Sequence, residues 1–248
     1  MAASVLISFG LNEKNLQKFT FLREDVDVDG SFLISCILGQ RIKYQETGTI
    51  LICFHHAYQH YVSAGQRLGY NLNTSIDKGN LTTIEPLDDI AEKLFTSFFL
   101  HSSKEELLNE FLQSIQSHIV DMFNVKNKKS VTVIIDDISV LINLGVSELQ
   151  ALRFCRKIQS LTEKQFSNLS IVLKVNTCEL YERLCSNLED LADVEIKLVK
   201  LKSGNFKEVD GKLVCVKKCL NGVEKVMLYK VNERNVKIFA PGEVGIKV

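Results

Sequence analysis

Residues 131–137 of the chain read VTVIIDD, an almost unbroken apolar run that ends in two carboxylates. Such a run, without alternation of apolar and polar residues, is typical of a strand buried on both faces. Residues 49–54 (TILICF) show the same pattern, and segments with helical spacing of apolar residues lie between such strands. Strands that alternate with helices predict a mostly parallel sheet with helices on both faces.

The rest of the chain extends this pattern in two parts. Up to residue 193, we predict strands at 18–22, 49–54, 81–84, 131–135 and 169–175, and helices at 31–42, 57–68, 87–100, 104–123, 147–161 and 179–191. After residue 193, strands at 194–201, 213–219, 223–231 and 236–239 follow one another, with turn sequences at 203–205, 210–211 and 221–222. We therefore predict one α/β domain over 1–248, with an alternating core at 18–193 and an antiparallel meander at 194–248.

Charge is distributed unevenly along the 248 residues, although Lys and Arg (30) balance Asp and Glu (30). Residues 195–248 hold twelve Lys or Arg and six Asp or Glu, so this part carries +6 and the preceding part −6. Lysines on edge strands prevent aggregation, which is one interpretation of the basic part. The other interpretation is an anionic partner, such as RNA, with Lys217 and Lys218 as candidate contacts.

Composition excludes several classes of protein. No apolar run reaches the ~18 residues that a membrane span requires, and residues 1–10 lack the basic start of a signal peptide. The chain has seven cysteines, and no two of them have Cys-x-x-Cys spacing. We expect reduced thiols, and therefore a protein of the cytosol that can also occur in the nucleus, with no membrane partner.

The first strand-to-helix loop is where a nucleotide binds in many α/β proteins. A phosphate-binding P-loop has the pattern Gly-x-x-x-x-Gly-Lys-Ser/Thr. This loop keeps Gly30 and Ser31, which Asp29 precedes, but it has no lysine and it carries four carboxylates over residues 24–29. Each carboxylate ~4 Å from a phosphate charge costs about 4 kcal/mol at an effective dielectric constant of 20. We therefore predict a degenerate P-loop that repels a triphosphate, and no bound cofactor.

The same loop begins like a calcium-binding loop, because Asp25, Asp27 and Asp29 alternate before a glycine. The twelfth position of such a loop should be glutamate, and here it is Cys36. We therefore predict an acidic loop and no metal site.

Asp136 and Asp137 follow the buried strand in the manner of a Walker B motif, whose carboxylate holds magnesium. Without a P-loop the pair is interpreted as a remnant or as a structural cap.

His55, His56 and His60 cluster after the second strand and suggest a metal or an acid–base pair. His56 lacks the adjacent glutamate of a zinc hydrolase motif, so these residues are interpreted as polar residues at the start of a helix. No other catalytic motif is present in the sequence, and an enzyme is not predicted.

Several stretches together resemble one known family. In chain order they are 29–33 (DGSFL), 60–61 (HY), 65–69 (GQRLG), 133–141 (VIIDDISVL), 144–145 (LG), 229–231 (YKV) and 239–242 (FAPG). In this order and spacing they resemble the subunit 6 family of the Elongator complex, over almost the whole chain. The resemblance implies a RecA-like ATPase fold without a working P-loop, which we call a pseudo-ATPase.

The resemblance also implies partners. It implies a hetero-hexameric ring with the related subunits 4 and 5, which docks on the catalytic core of Elongator and binds tRNA. The whole complex installs a carboxymethyl-type modification on wobble uridine, and the chemistry belongs to another subunit. Two alternatives stay open: an active RecA-type ATPase with an unconventional phosphate loop, and a small-molecule transferase with His55, His56 or His60 as base.

Overall fold

The computed structural model describes residues 2–9, 11, 16–87, 103–178, 181–201, 208–218 and 223–243. The helices are α1 (Ala2–Ser8), α2 (Ser31–Arg41), α3 (Tyr58–Leu68), α4 (Leu72–Asp77), α5 (Lys104–Asn124), α6 (Ser139–Asn143), α7 (Glu148–Lys164) and α8 (Glu182–Leu191). The strands are β1 (Phe19–Glu24), β2 (Thr47–Ile52), β3 (Leu81–Ile84), β4 (Ser130–Ile135), β5 (Leu169–Asn176), β6 (Val194–Val199), β7 (Gly211–Lys217), β8 (Val223–Val231) and β9 (Val236–Phe239).

The nine strands form one sheet with the order β3-β2-β4-β5-β1-β6-β7-β8-β9. The strands from β3 to β6 are parallel, and those from β6 to β9 pair in antiparallel fashion. The predicted fold class, a mostly parallel sheet with C-terminal antiparallel strands, is confirmed. The assignment of residues 194–201 to the antiparallel part is correct for only one side of β6, because its other side pairs with β1 in parallel.

Helices cover both faces of the parallel strands, because successive side chains of a strand point to opposite faces. Phe19 and Phe21 of β1 belong to the cluster that packs under α5, α7 and α8. Leu22 of the same strand belongs to the other cluster, which packs under α1, α2, α3 and α4. This arrangement buries the β2, β4 and β5 segments on both sides, as their apolar sequences predict.

Some helices differ from the sequence predictions. The short helices α1, α4 and α6 were not predicted, since five to seven residues give too few turns for a clear apolar stripe. A polar cap starts α4, where the Asn71 side chain accepts hydrogen bonds from the backbone N–H groups of Asn73 and Thr74. The predicted helix at 87–100 and the turns at 203–205 and 221–222 lie almost entirely outside the described residues.

The carboxyl ends of β1, β2, β3, β4, β5 and β6 lie at one edge of the sheet, because these strands are parallel. Ligands of open α/β sheets bind beyond this edge. The loops that follow these strands carry the acidic loop, the histidine cluster and the Asp136–Asp137 pair, so the fold brings the sequence-predicted candidates to one place. Within the described ranges, no helix is long and apolar enough to cross a membrane.

Candidate functional site

The loop between β1 and α2 is closed by the side chain of Glu24, the last residue of β1. This carboxylate is buried, with 2% exposure. Its Oε2 atom accepts hydrogen bonds from the Gly30 backbone N–H at 2.7 Å and from the Lys174 Nζ at 2.9 Å. Its Oε1 atom accepts from the Asn176 side chain at 3.0 Å. Glu24 therefore lies inside the loop, with donors from the loop itself and from β5.

This carboxylate takes a backbone N–H that a phosphate-binding loop would present to its ligand. In such loops, the N–H groups that precede and start the helix point at the phosphate. A Cβ atom added to Gly30 would come within 2.7 Å of Glu24 Oε2, so no side chain fits between the loop and the carboxylate. The anion at the start of α2 is therefore the Glu24 carboxylate of the protein itself.

Lys174 is the partner of Glu24 that the sequence patterns did not reveal. Its side chain is buried, and its ion pair with Glu24 connects β5 to β1. Burial raises the pKa of Glu24 above its ordinary value, and the charge of Lys174 and the Gly30 hydrogen bond oppose this change. A lysine within the apolar segment 169–175 was the available signal, because a buried lysine requires a partner.

Asp29 and Ser31 are hydrogen-bonded to each other. The Asp29 carboxylate accepts from the Ser31 backbone N–H at 2.8 Å and from the Ser31 Oγ at 3.0 Å. The nearby His56, whose Nε2 lies 3.8 Å from Asp29 Oδ1, and the Ser31 hydrogen bonds hold the pKa of Asp29 well below its usual range. The Ser31 hydroxyl also lies 3.1 Å from His60 Nε2. The hydroxyl that would bind magnesium in a P-loop is therefore engaged.

Asp136 anchors the loop that follows β2. Its buried carboxylate accepts hydrogen bonds from the backbone N–H groups of Phe54 (2.6 Å), His55 (3.0 Å) and His56 (3.0 Å). The Tyr61 hydroxyl adds a fourth donor at 3.2 Å. Both oxygens of the Walker-B-like carboxylate therefore face protein donors.

Asp137 bonds to Ser139, the first residue of the short helix α6. Its Oδ1 atom accepts from the Ser139 backbone N–H at 2.9 Å and from the Ser139 Oγ at 2.6 Å. The Asn176 backbone N–H approaches the same oxygen at 3.4 Å. The carboxylates of Asp136 and Asp137 are therefore both hydrogen-bonded within the loops at this edge.

The three histidines pack on one another. The rings of His56 and His60 are stacked with centroids 4.0 Å apart, and the ring of His55 meets that of His56 edge-on at 4.4 Å. Burial and the adjacent His56 lower the pKa of His60 below its ordinary value. Among the described residues, no three His, Cys, Asp or Glu side chains are grouped so as to hold a metal ion.

A cleft of about 420 Å³ lies beside the loop, between α2 and α3 on one side and the β8–β9 hairpin on the other. Its lining includes Phe32, whose ring stacks on that of Tyr229 with centroids 4.9 Å apart. His60 and Arg67 also line it, so the stretches 29–33, 60–61, 65–69 and 229–231, which carry the family resemblance, meet at this cleft. The sequence alone could not show that these separate stretches share one surface.

Lys217 and Lys218, the candidate tRNA contacts, lie away from this site. Lys217 ends β7 opposite Val194, the first residue of β6. The Lys218 backbone N–H bonds to the carbonyl of Asp193, so both lysines lie at the opposite edge of the sheet. Their contact with tRNA stays a prediction.

Comparison with solved structures defines the fold of the protein. Similar solved structures include a KaiC-like protein from Pyrococcus horikoshii, with 11% identity and a TM-score of 0.62 over 90% of this chain and 89% of that one. An uncharacterised protein of the same archaeon, solved with an unknown peptide, has 12% identity and a TM-score of 0.67 over 95% and 96% of the two chains. The fold is therefore RecA-like, as predicted.

The sequence comparisons define the family. The family profile described as "Elongation complex protein 6" matches residues 4–233. Elongator complex protein 6 of Drosophila melanogaster is 42% identical over the full length of both chains. The Xenopus tropicalis protein of the same name is 27% identical over 96% of this chain and 95% of its own, and the human one 21% over 88% of each. The chain belongs to the Elongator complex protein 6 family.

Removal of the buried lysine tests the Glu24 pair. We expect Lys174→Met to lower the free energy of unfolding by about 3–5 kcal/mol at pH 7, because it leaves the Glu24 charge buried without its cation. Without Lys174 the pKa of Glu24 rises further, and a carboxyl whose pKa is raised on folding stabilises the folded state less as the pH rises. The loss should therefore grow as the pH is raised from about 4.5, in urea denaturation at several pH values.

The matched control is Lys200→Met. Lys200 lies 3.5 Å from Asp27, and both side chains are at least half exposed. Its removal should change the free energy of unfolding by less than about 1 kcal/mol. Equal losses in the two variants would contradict the structural role of the Lys174–Glu24 pair.

A second substitution tests the role of Asp136. Asp136→Asn replaces an acceptor oxygen by an amide that faces backbone N–H donors, so we expect a loss of about 2–4 kcal/mol in the free energy of unfolding. Asp27→Asn, the same change in the exposed loop, should cost less than about 1 kcal/mol. An Asp136→Asn variant as stable as the wild type would show that the carboxylate does not hold the loop together.

Proposed function

We propose that this chain is a non-catalytic subunit of the Elongator complex. In this proposal it forms a hetero-hexameric RecA-like ring with subunits 4 and 5, and the ring docks on the catalytic core. The ring binds tRNA and supports the carboxymethyl-type modification of wobble uridine, whose chemistry takes place in another subunit. The observation that carries the non-catalytic role is the hydrogen bond from the Gly30 N–H to the Glu24 carboxylate.

The closed loop supports a pseudo-ATPase rather than an enzyme. A triphosphate at the start of α2 would have to displace Glu24 from Gly30, Lys174 and Asn176, and would leave these groups without partners. The exposed carboxylates of Asp27 and Asp29 add repulsion. Each of these costs opposes nucleotide binding.

An active ATPase is the alternative, and Asp136 favours it by its position after β4. Magnesium at this carboxylate would have to compete with the donors of Phe54, His55, His56 and Tyr61. Loss of these bonds would release the loop after β2. This competition favours a structural role for Asp136.

The state of the cysteines supports the proposed compartment. Six cysteines in the described part of the chain are free. Burial raises the pKa of the Cys36 and Cys155 thiols to about 12, which leaves them protonated and unreactive. We place the protein in the cytoplasm, and also in the nucleus, where thiols are kept reduced.

Assembly with the related subunits tests the proposal. We expect this chain, coexpressed with subunits 4 and 5, to elute in size exclusion as one species that contains all three proteins. Light scattering should give a mass consistent with six chains, this 28.0 kDa chain among them. Labelled tRNA added to the mixture should co-elute with that species.

The control is the same coexpression without this chain, which should give no species of that mass. Separate elution of the three proteins would contradict the ring. A ring that forms but leaves tRNA in the free fraction would contradict the tRNA part of the proposal alone.

A further inference from the structure

The two edges of the sheet between β3 and β7 carry opposite charge. Among the described residues, the loops at the carboxyl ends of the parallel strands and before β7 hold eight carboxylates and one lysine. The carboxylates are Asp25, Asp27, Asp29, Glu85, Asp136, Asp137, Glu208 and Asp210, and the lysine is Lys200. This edge is the one that contains the closed loop.

The opposite edge, here called the amino edge, consists of residues 16–18, 42–46, 78–80, 125–129, 165–168, 192–193 and 217–218. Its lysines are Lys18, Lys43, Lys78, Lys126, Lys128, Lys129, Lys217 and Lys218, and its carboxylates are Glu46 and Asp193. Some of these lysines lie in the acidic part of the chain, before residue 195, and the others lie in the basic C-terminal part. The amino edge therefore brings basic residues from both parts together on one surface.

Backbone hydrogen bonds hold the segments of the amino edge in register. The Lys129 N–H bonds to the Glu46 carbonyl at 2.8 Å, and the Lys218 N–H bonds to the Asp193 carbonyl at 3.0 Å. The Lys18 carbonyl accepts from the Ile171 N–H at 2.8 Å. Seven strands at about 4.8 Å spacing make this edge about 30 Å long. The lysines therefore stand on a rigid row.

Some of these lysines have acidic partners. Lys129 pairs with Glu46 at 2.5 Å, and Lys126 pairs with Asp121 at the end of α5 at 3.0 Å. Lys128 lies partly buried beside Lys126, and burial together with this like charge lowers its pKa. The exposed lysines of the row are Lys18, Lys43, Lys78, Lys129 and Lys218. Cations are thus crowded here despite the two ion pairs.

A cavity of about 200 Å³ opens in the middle of the amino edge, at the start of β5. Its described lining includes Lys18, Arg41, Ser130, Ser167 and Asn168, and contains no carboxylate. Arg41 is buried, with 1% exposure, and its guanidinium donates to the Ser130 hydroxyl at 3.1 Å. Guanidinium, ammonium, hydroxyl and amide groups are the donors that bind phosphate in proteins.

We propose that the amino edge binds the phosphate backbone of RNA, with one phosphate in the Arg41 cavity and neighbouring phosphates at Lys18, Lys43, Lys129 and Lys218. The inference rests on the proposed function, in which the RNA that the ring binds is tRNA. A polyanion with regularly spaced charges can meet cations from successive strands, and the acidic edge directs it to this side of the sheet.

The composition of the edge favours a nucleic acid over a lipid surface. A membrane-binding surface combines basic residues with exposed apolar side chains. Val125 is the one large hydrophobic side chain of the described amino edge that is strongly exposed, at 71%. An acidic segment of a partner protein is the remaining candidate for this surface, and loss of co-elution with the partners would reveal it.

The test compares two quadruple variants in the assembled complex with subunits 4 and 5. The first replaces Lys18, Lys43, Lys129 and Lys218 by glutamine. The control makes the same change in net charge elsewhere, with Arg153, Arg156, Lys225 and Lys237 replaced by glutamine, all of them exposed. The affinity for one labelled tRNA transcript is measured by fluorescence anisotropy between 50 and 200 mM salt.

We expect the amino-edge variant to bind the transcript about tenfold more weakly or worse. The slope of log affinity against log salt should fall by about three, since each lost phosphate contact removes about 0.7–0.9. The control variant should match the wild type. A second variant, Ser167→Asp, places a carboxylate at the cavity and should weaken binding at least threefold, whereas Ser167→Asn should not.

Equal affinities and salt slopes in the two quadruple variants would overturn the inference. So would an amino-edge variant that no longer co-elutes with its partners, because the edge would then be a protein contact and its weaker tRNA binding would follow from lost assembly. If the wild-type complex itself binds no tRNA, the proposed function fails first, and the inference fails with it.

Discussion

The buried ion pair between Glu24 and Lys174 is the constraint on which the loops at the carboxyl ends of the parallel strands depend. It joins β1 to β5, and the Glu24 carboxylate at the same time holds the Gly30 N–H at the start of α2. A buried carboxylate of this kind is stable only with its cation and its donors in place. The loop that would hold phosphate in a RecA-like ATPase is therefore shaped around a side chain of the protein, which supports an interaction role.

The rest of the edge repeats this arrangement. Asp136 holds the loop after β2, Asp137 bonds to the first residue of α6, and Asp29 and Ser31 bond to each other. Charged groups that could serve a nucleotide instead connect the loops of the edge. The net charge of zero hides a sheet with acidic loops at one end of its strands and lysines at the other, and the proposed binding of an anionic partner depends on this polarity.

The sequence predicted much of the fold, because buried strands such as 131–135 and amphipathic helices leave strong periodic patterns. Short helices such as α4 were missed, since their stability comes from a cap and from packing. The parallel pairing of β6 with β1 was missed, since no local pattern encodes it. In the site, the sequence predicted repulsion by the acidic loop but not the inward turn of Glu24, because its partner Lys174 lies 150 residues away.

The central claim is that the Glu24 carboxylate occupies the place at the start of α2 where a P-loop would hold a phosphate. Isothermal titration of Mg-ATP into the chain tests it most directly. The chain is titrated alone and in complex with subunits 4 and 5. In the complex, one titration uses nucleotide-free partner subunits, and a parallel one uses partner subunits saturated with a non-hydrolysable analogue. The account predicts no binding to this chain at 1 mM ATP, a concentration on the order of the weakest affinity that an enzyme would use. Saturable binding that Asp136→Asn abolishes, together with ATP turnover, would contradict it.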